Sequence, residues 1–212
     1  MPNNPSHDRA LRERLLAGLA ATHPEPPRPL ASRDLPGAAG TKLDESFLRD
    51  LRPAAVLVAV MERPHGLTVL FTRRSSRLRA HAGQVSFPGG RREAADEGPA
   101  ATALRESYEE VGMDTSRVRL VGYLDDYPTI TRFLVTPVVG LVSGDAVITP
   151  DRVEVDEVFE VPLGFLLDAR NYQRRTVVRG GRQVPYWALS HGGHVIWGAT
   201  AGMLRNLLDK LG

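Results

Sequence analysis

The pattern of apolar and polar positions predicts strands that alternate with helices after residue 52. Residues 54–61 are almost continuously apolar, which is typical of a strand covered on both faces. Further strands are predicted at residues 67–71, 118–124, 133–142 and 153–161, with a helical turn at 163–168, a hairpin at 176–178 and 184–189, and a closing helix at 199–211. This mixed order indicates an α/β (α+β) sandwich.

A different pattern precedes the first strand. Residues 7–22 predict a helix whose apolar side carries Leu11, Leu15, Leu16 and Leu19. A targeting peptide is poor in acidic residues, but Asp8 and Glu13 interrupt this one, so we expect a helix that packs on the domain or on a partner. Residues 23–40 are rich in Pro, Gly and Ala and predict a linker. The predicted division is therefore a helix and linker at 1–50 and a domain at 51–212.

Composition narrows the class of protein. The contents of 42% apolar and 25% charged residues are ordinary for a globular chain, and no apolar run is long enough to predict a membrane span. The absence of cysteine excludes disulfides, thiolate metal ligands and a cysteine nucleophile, and is compatible with the expected cytoplasmic location. A formal charge of +2 does not argue for nucleic acid. The expected partner is a small molecule, and a homodimer is left open.

The chemical pattern is concentrated in residues 83–113. The second half predicts a helix, with Pro99 in its first turn and Gly112 just past its end. One side of this helix is predicted to carry the carboxylates Glu106, Glu109 and Glu110, and the other the apolar Ala100, Leu104 and Val111, with Tyr108 at the margin.

Carboxylates three and four residues apart on a helix repel one another. Arg105 can pair with Glu109, but Glu106 and Glu110 are then left facing each other. A hard cation such as Mg²⁺ resolves this conflict, since it takes carboxylate oxygens and keeps waters for a phosphate. A solvated acidic face is the alternative. The glycine turn at residues 87–90, whose backbone can approach a ligand closely, favours a metal-bound diphosphate.

These residues resemble the signature of the Nudix hydrolases, G-x5-E-x7-R-E-U-x-E-E-x-G-U with U aliphatic. The matching residues are Gly90, Arg105, Glu106, Glu109, Glu110 and Gly112. The chain has one residue more between Gly90 and Arg105 than the signature has. The single acidic position between them is therefore Asp96 when it is counted from Gly90, and Glu97 when it is counted from Arg105. Ser107 also replaces the first aliphatic residue.

A second, adjoining motif resembles that of the coenzyme A pyrophosphatases within this family. The chain reads Leu70-Phe71-Thr72-Arg73-Arg74-Ser75, then Leu78, His81, Gly83, Val85 and Phe87-Pro88-Gly89-Gly90. The resemblance implies the Nudix fold, a mixed sheet between helices. It also implies hydrolysis of coenzyme A or its derivatives to 4′-phosphopantetheine, or its acyl form, and adenosine 3′,5′-bisphosphate, with Mg²⁺ or Mn²⁺ as cofactor.

Roles for individual residues follow from the same resemblance. The predicted metal ligands are Glu106, Glu109, Glu110 and a carbonyl oxygen of Gly89 or Gly90. Arg105 is expected to orient Glu109, and Glu154 is the downstream candidate for the general base, which a residue of the signature helix could also be. Predicted substrate-binding residues are Arg73, Arg74, Ser75, Arg77, His81, Gly83 and Phe87.

The predicted basic loop at residues 73–82 is the expected contact for the 3′-phosphate of coenzyme A, with Arg74 as first candidate; the alternatives are a solvated loop and a structural role for His81. Two other functions stay open. Pro128, in the loop after the signature, is a marker of ADP-ribose hydrolases, which would keep the chemistry and change the substrate. A non-catalytic nucleotide-binding module is the other, although three repelling carboxylates argue against it.

Overall fold

The computed structural model describes residues 5–26, 28–31, 48–77, 81–179 and 181–212. Its α-helices are α1 (Pro5–Leu19), α2 (Pro99–Val111), α3 (Leu163–Leu166) and α4 (Gly198–Leu211). Its strands are β1 (Arg52–Arg63), β2 (Gly66–Arg74), β3 (Val85–Ser86), β4 (Gly89–Arg91), β5 (Val118–Tyr123), β6 (Tyr127–Pro128), β7 (Phe133–Val142), β8 (Val155–Pro162), β9 (Gln173–Arg179), β10 (Arg182–His191) and β11 (His194–Trp197).

β1 is the centre of a mixed sheet. It pairs in parallel with β7 and antiparallel with β2, and the order along the sheet is β3-β2-β1-β7-β5. The short β4 also pairs with β1, β6 pairs with β7, and β8 pairs with β2. A parallel pair needs a crossover connection, and α2 lies within the one from β1 to β7. β9, β10 and β11 form a separate antiparallel sheet.

The two faces of β1 belong to two hydrophobic clusters because successive side chains of a strand point to opposite faces. Ala55, Leu57 and Ala59 pack with Ala103 and Val111 of α2. The alternate residues Ala54, Val58 and Val60 pack in a cluster with α1 and α4. The predicted sandwich of a mixed sheet between helices is confirmed.

α1 belongs to the second of these clusters. Leu11, Leu15 and Leu19 are buried there with Leu204 and other residues of α4. The side chain of Arg14 donates hydrogen bonds to the last two carbonyl oxygens of the chain, which end α4. The predicted helix and its packing on the domain are confirmed, whereas the division at residue 50 stays a prediction.

Residues 28–31 of the predicted linker are bound to the domain. Leu30 forms a parallel bridge with Asp126, and the N–H of Ala31 donates to the Asp126 carbonyl oxygen at 3.0 Å. Arg28 and Asp126 form an almost fully buried ion pair at 2.8 Å. The segment is held because Arg28 has a buried carboxylate to pair with. Residue 27 and residues 32–40 of the prediction lie outside the described residues.

Three boundaries also differ from the prediction. β2 continues through Arg74, so Arg73 and Arg74 are strand residues and the loop begins at Ser75. The short β6 lies inside the predicted loop at residues 125–132. The C-terminal hairpin gains a third strand, β11, after a turn at Gly192 and Gly193. None of the described helices is long and apolar enough to span a membrane.

Candidate active site

The ends of α2 are fixed as its sequence predicts. Pro99 lies in the first turn, and Gly112 ends the helix in the left-handed conformation, with φ of 64°. The Gly112 N–H donates to the Tyr108 carbonyl oxygen, and the Met113 N–H donates to that of Ser107. The register of the carboxylates relative to the sheet is therefore set at both ends of the helix.

The predicted apolar side of α2 is confirmed only in part. Of the predicted residues Val111 is buried and Ala100 packs against the same cluster, but the buried side also carries Thr102, Ala103, Ser107 and Glu110, whereas Tyr108 is 63% exposed. A serine is tolerated at this buried position because its hydroxyl donates to the Ala103 carbonyl oxygen at 2.6 Å. Compared with the prediction, the helix is rotated about its axis, so that Glu110 faces the sheet rather than solvent.

Glu110 is the most buried carboxylate of the helix, with a side chain that is 5% exposed. One oxygen, Oε2, accepts a hydrogen bond from the Gly89 N–H at 3.2 Å. The other, Oε1, lies 3.4 Å from Nη1 of Arg74. Burial raises the pKa of Glu110 to about 7, and the charges of Glu106 and Glu154 act in the same direction. The Gly89 N–H and Arg74 oppose this rise.

Two glycines let β4 lie between β1 and α2. A Cβ atom on Gly89, whose φ is 154°, would lie 2.4 Å from the Ala55 carbonyl oxygen. A Cβ atom on Gly90 would lie 2.5 Å from the carboxyl carbon of Glu106. The backbone at Gly90 thus lies against the carboxylate of Glu106, and its predicted close approach to a ligand stays a prediction.

Arg105 binds the carboxylates around it. Nη1 lies 2.9 Å from Glu109 and 3.0 Å from Glu106, so the predicted contact with Glu109 is confirmed and a second one is added. Nη2 also donates to the Arg91 carbonyl oxygen at 3.1 Å. Burial raises the pKa of Glu106, Arg105 lowers it, and the charges of Glu109 and Glu154 raise it further.

Asp96 is the residue that holds Arg105 in place, a role that the sequence analysis did not assign. Its two oxygens accept from Nε and Nη2 of Arg105, each at 3.1 Å, and it also binds the Thr102 hydroxyl and the Glu93 N–H. The hydrogen bonds from Arg105 hold the pKa of Asp96 well below its usual range. Glu97 is exposed. Counting the acidic position of the signature from Gly90, rather than from Arg105, would therefore have identified Asp96.

Glu154 approaches the site from the turn that precedes β8. The segment before it is bound to the end of α2, since the N–H of Thr149 donates to the Val111 carbonyl oxygen and that of Asp151 to the Glu110 carbonyl oxygen. The Glu154 side chain is exposed, and its charge raises the pKa of both Glu106 and Glu110. Glu154 therefore lies near Glu106 and Glu110, as its prediction as the general base requires.

The structure separates the predicted substrate-binding residues of β2 and β3. Arg74 lies on the side of Glu110, while Arg73 pairs with Glu157 at 3.2 Å. Phe87 is 2% exposed and stacks on Phe71 in the core, so its prediction as a substrate-binding residue is contradicted. An aromatic ring between a strand and a glycine turn finds more apolar surface inside the protein than at the site.

Backbone hydrogen bonds connect the loop after β2 to the segment before β8 and to the end of β2. Ser75 is buried, and its N–H donates to the Glu154 carbonyl oxygen at 2.8 Å. Arg77 is exposed. His81 has φ of 58° and lies 2.8 Å from the Gln84 side chain, and the Gly83 N–H donates to the Arg74 carbonyl oxygen. Leu78, which the motif includes, and Arg79 of the predicted basic loop lie outside the described residues.

The carboxylates fit a divalent cation by their charge and burial. No three metal-binding side chains of the described residues already converge in a complete site. Glu106 and Glu110 are nevertheless withdrawn from water beside each other, and each is destabilised as an anion by burial and by Glu154. A hard cation with oxygen ligands would offset this cost.

Comparison with known proteins identifies the fold that carries this site. Residues 51–180 match the NUDIX domain family. The chain belongs to the Nudix family. Nudix hydrolases act on small molecules and generally use divalent metal ions such as Mg²⁺ or Mn²⁺.

Similar proteins include an uncharacterized Nudix hydrolase, NudL, from Escherichia coli O7:K1. It is 40% identical over 162 residues, which cover 76% of this chain and 83% of NudL. NudL of Escherichia coli K12 matches with the same identity and coverage. Among solved structures, RenU, a Nudix hydrolase from M. smegmatis, is 18% identical with a TM-score of 0.48, over 74% of this chain and 84% of its own.

Proposed function

We propose that this Nudix protein hydrolyses the diphosphate bond of coenzyme A or of its derivatives. The products would be adenosine 3′,5′-bisphosphate and 4′-phosphopantetheine or its acyl form. The observation that carries the hydrolytic part is the buried pair of Glu106 and Glu110 beside the Gly89–Gly90 turn. Both carboxylates of this pair have raised pKa values. Residue 90 is a glycine, so no side chain separates the backbone from the carboxylate of Glu106.

Glu106 and Glu110 would hold the divalent cation, with Glu109 as a third ligand and the Gly90 carbonyl oxygen as a further one. When bound, such a cation polarises a phosphoryl group and makes a bound water more acidic. Arg105 keeps Glu106 and Glu109 in place, and Asp96 keeps Arg105 in place. Four hydrogen bonds and ion pairs of Arg105, two to Asp96 and one each to Glu106 and Glu109, align the acidic residues before substrate arrives.

Glu154 is the proposed general base. It is exposed, so it can take a proton from a water molecule, and its charge acts on both Glu106 and Glu110. In the reaction, the water oxygen forms a bond to one phosphorus, and the bond from that phosphorus to the bridging oxygen breaks. The water proton goes to Glu154, and the leaving phosphate takes up the bridging oxygen.

The preference for coenzyme A is supported by the loop that follows β2. This loop carries the motif shared with coenzyme A pyrophosphatases, and it starts at Ser75, directly after the strand that brings Arg74 to Glu110. Because Arg74 is directed at Glu110, the exposed Arg77 and His81 become the candidates for the 3′-phosphate. Pro128, the marker of the ADP-ribose alternative, is buried in β6 and pairs with Leu134, which gives it a structural role.

A substrate panel with identification of the products by mass tests this proposal. Coenzyme A should have a kcat/KM about tenfold to a hundredfold above that of dephospho-coenzyme A, the range of one charge-assisted contact to phosphate. Arg77→Ala should remove this preference and leave hydrolysis of dephospho-coenzyme A unchanged. The control is Arg9→Ala, an exposed arginine on α1. Faster cleavage of ADP-ribose than of coenzyme A would reject the proposed substrate.

A further inference from the structure

Arg74 is held at a point where three segments meet. Its N–H donates to the Gln84 carbonyl oxygen and its carbonyl oxygen accepts from the Gly83 N–H, each at 3.0 Å. The pairing of β2 with β8 shifts between Arg73 and Arg74, so that Arg74 lies opposite Val155. Bulges of this kind re-aim a side chain next to an active site. The backbone therefore directs Arg74 to the side of Glu110.

The guanidinium group of Arg74 is only partly used. Of its five N–H donors, one contacts Glu110, at the long distance of 3.4 Å. Within the described part of the chain, its buried Nε has no hydrogen-bond partner. A planar donor group with unused hydrogen atoms matches an oxyanion that can accept two of them, such as a phosphate.

The other arginine of the site has no such capacity. Arg105 is bound by Asp96, Glu106, Glu109 and the Arg91 carbonyl oxygen. Its role is to hold carboxylates through several short contacts, whereas Arg74 has a single weak contact with Glu110, a carboxylate that a cation would also take. A cation and Arg74 therefore compete for Glu110.

We propose that Arg74 exchanges its partner during substrate binding. It contacts Glu110 in the cation-free protein and contacts an oxygen of the scissile diphosphate once a divalent cation occupies Glu106 and Glu110. This inference rests on the proposed function, since it assumes both the cation and a diphosphate substrate. It makes Arg74 a substrate-binding residue at the reacting bond rather than at the 3′-phosphate.

The test is binding to the intact protein, measured by calorimetry with Mn²⁺ alone and then with a non-hydrolysable nucleoside diphosphate, adenosine 5′-(α,β-methylene)diphosphate. Arg74→Gln should bind Mn²⁺ about fivefold more tightly than wild type, because a competing positive charge is gone. At saturating Mn²⁺, the same variant should bind the analogue roughly tenfold to a hundredfold more weakly.

Two further variants separate this role from a structural one. Arg74→Lys keeps the charge, so it should keep the Mn²⁺ affinity of wild type and still lose part of the affinity for the analogue. Should Arg74→Gln fail to fold, this variant decides the matter. Arg63→Gln removes the arginine of another partly buried pair, with Glu160 on β8, and should leave both affinities within about twofold of wild type.

Opposite changes in the two affinities are the expected signature. Weaker Mn²⁺ binding by Arg74→Gln, or an unchanged affinity for the analogue in both variants at residue 74, would overturn the inference while the proposed function stands. A wild-type protein that binds neither Mn²⁺ nor the analogue would overturn both.

Discussion

The carboxyl group of Glu106 lies over the α-carbon of Gly90. A Cβ atom at residue 90 would stand 2.5 Å from the carboxyl carbon and 2.5 Å from one carboxylate oxygen of Glu106. The strand cannot move aside easily, because Gly90 is paired with Ala55 of the central strand. The carboxylate is the end of a flexible side chain and is the part that would move. The missing side chain at residue 90 thus determines where Glu106 holds its charge.

Gly90→Ala should therefore damage function more than stability. The displaced carboxylate should lower kcat/KM by about a hundredfold, the cost of a misplacement of about 1 Å. The free energy of unfolding should change by less than about 1 kcal/mol, because the clash involves a mobile group. Steady-state kinetics and urea unfolding on the same preparation measure the two effects. Gly98→Ala is the control, since no atom lies within 4 Å of a Cβ atom there. Comparable activity in both variants would contradict the prediction.

Asp96 and Glu97 offer a matched pair of adjacent acidic residues. Asp96→Asn removes the buried carboxylate that holds Arg105, and should cost about 2 kcal/mol of unfolding free energy and lower kcat/KM as well. Glu97→Gln changes an exposed residue and should stay within about 0.5 kcal/mol of wild type. Urea unfolding of both variants at neutral pH tests the difference. A larger loss of stability for Glu97→Gln than for Asp96→Asn would mean that Glu97, the acidic residue counted from the arginine of the signature, is the one that holds Arg105.

The strands and the bounds of α2 were predictable because their causes are local. Apolar runs such as that of β1 identify a strand buried on both faces, and Pro99 and Gly112 mark the ends of α2. The side of α2 that faces the sheet was not predictable in this way. A serine and a glutamate are buried there because Ala103 and Gly89 supply hydrogen-bond partners that a hydrophobic pattern does not contain.

The same limit applies to individual site residues. Arg73 and Arg74 are the same residue type at adjacent positions, and only the alternation of β2 and its shift in pairing with β8 separate them. One consequence is that Arg73 pairs with Glu157 while Arg74 contacts Glu110. The sequence located the residues of the family motif along the chain. The direction in which each side chain points depends on how the strands pair.

α1 should be required for stability. Leu15 is fully buried in the cluster that α1 shares with α4. Leu15→Ala should cost about 2–5 kcal/mol of unfolding free energy, the range for leucines in a packed core. Thermal and urea unfolding measure this loss, and the exposed Glu13→Ala serves as the control. If Leu15→Ala unfolds like wild type, the packing of α1 on α4 does not contribute to stability.

Acidification should stabilise the cation-free protein through Glu110. The fold raises the pKa of this carboxyl from 4.5 to about 7, so the folded state binds its proton more tightly than the unfolded state does. Between these values the folded chain holds more protons, and stability therefore falls as pH rises from about 4.5 through 7. The rise of about 2.5 pH units corresponds to roughly 3 kcal/mol. Glu106, whose pKa is also raised, contributes with the same sign.

Unfolding in urea with a chelator, at intervals between pH 4.5 and 8, measures this dependence. Glu110→Gln cannot titrate at this position, so its stability should fall less steeply across the range and should exceed that of wild type near pH 8. Glu97→Gln, at an exposed position before the same helix, should keep the wild-type slope. Saturating Mg²⁺ should reverse the trend in wild type, because the cation binds the ionised carboxylates and stabilises the folded state. Parallel curves for wild type and Glu110→Gln would show that the buried carboxyl is ionised throughout, and that Arg74 and the Gly89 N–H already balance its charge.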